Sequence, residues 1–172
     1  MGGMHPVAWL PSPTVDIVLG AASAAAVAAA VLAAASDAEA RRIPDRLSLL
    51  LLLSGLAALV ALPPADALLS VGLAALLFAA GMLAFSRGIA GGGDVKLLTG
   101  AMLWSGTSLI GLFAVTMALA AIATAAVILF RQALTSTAHV ASWKTPMPLG
   151  IPIAAGTVAV ILERLAFLPG AG

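Results

Sequence analysis

Apolar residues come in long unbroken blocks along this chain, separated by short polar, glycine-rich or proline-rich stretches. The first block, from about Val15 to Ala35, predicts a helix that meets the ~20 residues a bilayer core requires. No Lys or Arg precedes it, and it exceeds the ~7–15 residues of a signal-peptide core, so a retained membrane helix is expected. The charged stretch SDAEARRIPDR (36–46) follows. A second helix is predicted over Leu47–Leu62, ending at Pro63-Pro64, and at about 24 Å it is short for a crossing. A third is predicted over Ala67–Ser86, before the run RGIAGGGDVKLLTG. Residues 95–130 are apolar again, and one helix of that length would extend about 54 Å. A turn near Gly106 is therefore predicted, with a short fourth helix before it and a fifth ending near Arg131. The polar segment 132–147 leads into the last block, Pro148–Leu168, with Pro152 in its first turns.

The pattern predicts an all-α, polytopic integral membrane protein of about six transmembrane helices, forming a single domain over 1–172. Strand alternation is missing, which argues against a transmembrane barrel. Composition strengthens the membrane reading: 62% of residues are hydrophobic and 9% charged. No basic patch points to nucleic acid, and the bilayer itself is the expected surrounding. Cysteine is absent, which excludes disulfides, thiolate metal ligands and a cysteine nucleophile.

Charge placement gives orientation. Arg41, Arg42 and Arg46 fall in one loop, Arg87 and Lys96 in a second, Arg131 and Lys144 in a third, and Arg164 lies elsewhere. With six crossings these loops share a side, and the excess of positive charge makes it cytoplasmic, with both termini outside. Trp9, Trp104 and Trp143 fall near helix ends, where the membrane interface is expected. Two crossings separate Asp37 from Asp94, so the two acids are expected on one membrane surface.

Asp16, Asp66 and Glu163 lie near predicted outer ends, and Asp37, Glu39, Asp45 and Asp94 near inner ends. Asp94 suits the N-cap of a helix starting at Val95, and Asp45, after Pro44, suits the N-cap of the second helix. Lys96 opposes the dipole of the helix it opens, and its plain role is a snorkelling anchor. Asp37, at the end of the first helix, has no capping rationale, although Arg41 lies one turn on. The glycine run lacks the rest of a phosphate-binding loop. It reads as a hinge, or as extended backbone that another chain could approach and pair with.

Two carboxylates on one surface are the minimum for aspartyl hydrolysis. One takes a proton from water while the other, protonated, polarises a carbonyl and later protonates the leaving amine. This chemistry requires no cofactor and no metal. The two histidines, His5 and His139, are predicted on opposite sides, which argues against a zinc or serine–histidine site.

Two motifs carry a resemblance. SDAEARRIPDRL resembles the first aspartate motif of type IV prepilin peptidases, an Asp followed seven residues later by Pro, and GGGDVKLL is similar to their Gly-x-Gly-Asp-x-Lys motif. MPLGIPIAAG is similar to their last-helix Pro-x-Gly segment. The chain looks like the short, peptidase-only branch found with Flp/Tad-type pili. The resemblance implies a membrane-embedded aspartyl endopeptidase in the bacterial inner membrane. It would act at the cytoplasmic face on prepilins or pseudopilins, which carry a basic leader ahead of a hydrophobic helix, cleaving after a glycine. Asp37 and Asp94 carry over as the catalytic pair, and Gly91, Gly93, Lys96 and Pro44 as motif positions. Asp45 stands where the family usually has Asn, adding a third carboxylate. The large cysteine-bearing loop of the long members is absent, and with it the basis for their N-methyltransferase activity. Two other classes compete on the residues alone. One is a small proton-coupled transporter relaying protons through Asp37 and Asp94. The other is a non-catalytic scaffold of a pilus or secretion assembly, with the aspartates as caps.

Overall fold

The computed structural model describes residues 13–134 and 148–166. Among these, six α-helices follow one another: α1 (Pro13–Ala40), α2 (Asp45–Ala58, continued by a 3-10 turn Leu59–Ala61), α3 (Pro64–Ser86), α4 (Gly92–Ser105), α5 (Ile110–Leu134) and α6 (Gly150–Ala166). By length and composition α1, α3 and α5 are apolar enough to cross a membrane. Their exposed surface carries large apolar side chains, among them Leu68, Leu76, Leu119, Ile122 and Phe130. Such a surface suits lipid, which solvates it as well as a protein core would. The chain is an all-α membrane protein.

α4 is the buried centre. Val95, Leu97 and every residue from Thr99 to Gly106 are buried, with α2, α3 and α6 packed around the helix. α1 closes on α2 and α6, and α5 on α6. Small residues set the close contacts. A Cβ at Gly55 would lie 2.8 Å from Leu103 Cβ, and one at Gly100 would lie 3.0 Å from the Leu52 backbone nitrogen. α2 and α4 therefore meet backbone to backbone where glycine permits it. α1 turns a stripe of Leu19, Ala22, Ala26, Ala29 and Ala33 into the core. Spacings of three and four residues keep that stripe on one helix face, and Asp37 is its next member.

The predicted break at Gly106 is present. α4 ends at Ser105, and Gly106 closes it with φ 55°, a backbone geometry glycine adopts without steric cost. Other expectations are corrected. Trp104 is not interfacial: it is fully buried, and its indole N–H donates to Ser54 Oγ at 3.2 Å. The cause is the central position of α4, whose far end is enclosed by its neighbours. Trp9, Trp143, His5, His139, Lys144 and the last residues of the final predicted helix lie outside the described residues.

Candidate active site

One end of the bundle gathers the C-terminus of α1 and the N-termini of α2, α4 and α6. α1 runs on to Ala40, so Asp37 stands in its last turn, buried and 7% exposed. The chain then turns sharply. Arg41 adopts a left-handed φ of 53°, its N–H donates to the Asp37 carbonyl at 3.1 Å, and the Ser36 hydroxyl donates to the Arg42 carbonyl at 2.8 Å. The turn brings Ile43 against α4. A Cβ at Gly93 would lie 3.0 Å from Ile43 Cβ, so glycine is what lets the two segments touch.

The glycine run is largely helical, not an extended edge. Gly91 caps α4 in an extended conformation (φ −76°, ψ 140°), while Gly92 and Gly93 already belong to the helix. Asp94 is therefore not the N-cap. It is the third residue of the helix, and the Gly91 backbone N–H supports its carboxylate. A third-position acid reaching back to the cap is half of a capping box. A side chain at position 91 would displace the Asp94 carboxylate, since its Cβ would lie 2.7 Å from Asp94 Oδ2.

Asp45 is likewise not a cap. Pro44 occupies that position, without a side-chain bond, and α2 starts at Asp45. The Asp45 carboxylate instead accepts from Lys96 Nζ at 2.8 Å, an exposed ion pair joining the first turns of α2 and α4. This gives Lys96 a partner within the protein, where the sequence suggested only headgroups.

The sequence reading missed Gly150, the first residue of α6. Its backbone N–H donates to Asp37 Oδ2 at 2.8 Å. First-turn N–H groups have no partner within their own helix, so the carboxylate satisfies one and faces the positive end of the α6 dipole. A Cβ at Gly150 would lie 2.9 Å from Asp37 Cβ, closer than two carbons approach. The signal was the segment MPLGIP, which held the glycine without revealing its partner.

Asp37, Asp45, Gly91, Gly92, Gly93 and Asp94 line one cleft of about 420 Å³, together with Arg41, Arg42 and Ile43. Asp94 lies in the opening turn of α4, outside the three long apolar spans. Burial holds its carboxyl above the ordinary 3.8, the nearby Asp37 charge raises it further, and the Gly91 N–H works the other way. The site thus combines one carboxylate held by the Gly150 N–H with a second whose carboxyl is raised by burial. Among the described residues no group of three or more His, Cys, Asp or Glu is arranged to hold a metal ion. The family model for type IV leader peptidases matches residues 8–130. No curated protein and no solved structure matches significantly.

Proposed function

Because the chain belongs to the type IV leader peptidase family, it is a peptidase of the membrane, and we propose that Asp37 and Asp94 are its catalytic pair. The observation that carries this reading is the cleft they share, lined on one side by Gly91 and Gly93 and on the other by the turn from α1 to α2. The substrate is a prepilin or pseudopilin, whose basic leader lies at the cytoplasmic face of the inner membrane and whose apolar helix lies in the bilayer.

Asp37 acts as the ionised member. The Gly150 N–H and the α6 N-terminus supply donors suited to a negative charge. Asp94 acts as the protonated member, consistent with its raised carboxyl. Water between them loses a proton to Asp37 as its oxygen attacks the scissile carbonyl carbon. The Asp94 proton bonds to the carbonyl oxygen as negative charge develops there. On collapse the C–N bond breaks, the leaving amine takes the proton that Asp37 received from water, and a hydroxyl of the gem-diol returns a proton to Asp94, so the pair ends with one proton, as it began. The Lys96–Asp45 pair keeps the third carboxylate engaged beside the cleft.

The test is cleavage of a peptide bearing a basic leader and an apolar segment by purified chain in proteoliposomes. Asp37→Asn and Asp94→Asn keep the side chains' size while removing the shared proton. Each is expected to lower kcat/KM by at least about 10²–10⁴, the usual worth of positioned acid–base groups. Full activity in either variant removes that residue from the chemistry and overturns the pair.

A further inference from the structure

α2 and α3 each pack on α4 but have no substantial interface with one another. Between them lies a second cleft, of about 480 Å³. Its walls are apolar: Leu49 and Leu52 come from α2 and Phe78 from α3, and Leu49 and Phe78 belong to the exposed apolar surface that suits lipid. One end is charged, with Asp45 and Arg46 at the start of α2 and Lys96 near the start of α4. Ser48 also lines the cleft. It is 2% exposed, and its Oγ has no hydrogen-bond partner among the described residues. Ser23, Ser54, Ser70 and Ser105 each donate to a carbonyl of the preceding turn, and Ser48 does not. A buried hydroxyl without a partner is costly. A ligand that brings an acceptor to Ser48 therefore bonds a group the fold has already stripped of water.

We propose that this cleft holds one anionic phospholipid, its phosphate between Arg46 and Lys96 and an acyl chain along Leu49, Leu52 and Phe78. Charge selects the class of ligand. Two cations accompany one carboxylate, and Lys96 Nζ, which donates to Asp45, has two further N–H groups to offer. The surplus attracts an anion and disfavours the substrate's basic leader. Ser48 lies about one turn along α2 from Asp45, the depth of the glycerol esters beneath a phosphate, and its hydroxyl donates to an ester carbonyl. The volume falls within the roughly 300–1,000 Å³ of small-molecule sites and is too narrow for a transmembrane helix about 10–12 Å across. The site stands apart from the peptidase chemistry and shares with that reading only the orientation. This end of the bundle then meets the cytoplasmic leaflet, where anionic lipids collect at basic pockets between helices.

The experiment titrates the full chain, purified in detergent, with phosphatidylglycerol or with phosphatidylcholine of the same acyl chains, and counts bound lipid by native mass spectrometry. One phosphatidylglycerol is expected to bind at least about tenfold more tightly than phosphatidylcholine, an advantage that shrinks as salt is added. Arg46→Gln and Lys96→Met are each expected to weaken it about fivefold, and Asp45→Asn, which removes the carboxylate at this end, to strengthen it by a similar factor. Ser48→Ala is expected to weaken binding without lowering the Tm of the lipid-free chain, since the lost hydroxyl had no partner. Arg87→Gln removes the same charge outside the lining and is expected to change nothing. Equal binding of the two lipids, or an affinity that none of the Arg46, Lys96, Asp45 and Ser48 variants moves, overturns the site. Displacement of the lipid by an equal concentration of inorganic phosphate overturns the lipid assignment. A dimer that Phe78→Ala dissociates and phosphatidylglycerol does not would give the cleft to a second copy of the chain instead. None of these readouts uses cleavage, so the peptidase reading stands or falls separately.

Discussion

The Gly150 backbone N–H meets Asp37 Oδ2 at 2.8 Å, linking residues 113 positions apart. The bond ties the last turn of α1 to the first turn of α6 and fixes the direction of a buried carboxylate. The fit depends on the absence of a side chain at 150.

Gly150→Ala tests that fit. The new methyl must displace Asp37 or separate α1 from α6, since its Cβ would start 2.9 Å from Asp37 Cβ. Overpacking of this kind costs about 1–3 kcal/mol, seen as a lower Tm in detergent. Cleavage should fall at least tenfold because Asp37 loses its orientation. Gly72→Ala is the control, as nothing lies within 4 Å of that position. It should gain about 0.5–1 kcal/mol from better helix propensity, with cleavage unchanged.

The raised carboxyl of Asp94 predicts a pH signature in stability. Its carboxyl is raised from 3.8, first by burial and then by the Asp37 charge. The folded state therefore holds that proton more tightly than the unfolded chain does. The stabilisation is fully present below pH 3.8 and is lost as pH rises through the higher folded value. Asp94→Asn has no proton to lose. Its Tm relative to the unaltered chain should increase from acid to neutral pH, and parallel curves would show that Asp94 is not perturbed.

Lys96 and Asp45 form an exposed pair, and both side chains are too hydrated for their attraction to hold the fold together. Exposed pairs contribute about 0–1 kcal/mol. A double-mutant cycle with Lys96→Met and Asp45→Asn should return a coupling within that range, shrinking as salt is added. A larger, salt-insensitive coupling would mean that the pair becomes enclosed in the working protein.

Much of the helix order was legible because apolar blocks and their breaks are strong signals, and the turn at Gly106 followed from length alone. Asp37 and Asp94 line one cleft, in keeping with the expectation, drawn from the predicted crossings, that they share a surface. The local roles were harder to read. Three glycines suggest loop, yet Gly92 and Gly93 are helical, and Gly93 packs closely on Ile43, where an added Cβ would lie 3.0 Å from Ile43 Cβ. That shift of three residues moved Asp94 from the cap into the first turn. Trp104 was misread because amphipathic rings favour interfaces, whereas here the ring is enclosed and its N–H finds Ser54. The Gly150–Asp37 and Lys96–Asp45 contacts join distant segments through a backbone group and an ion pair, and no spacing rule encodes either.

The central claim is that two carboxylates from distant helices share one cleft on one side of the membrane. The chain has no cysteine, so Asp37→Cys and Asp94→Cys introduce the only thiols. The most direct measurement combines a short thiol crosslinker on the double variant with membrane-impermeant thiol labelling of each single variant in oriented vesicles. Efficient crosslinking, and labelling of both positions only from the cytoplasmic side, is the predicted result. Positions that label from opposite sides and never crosslink would contradict the account.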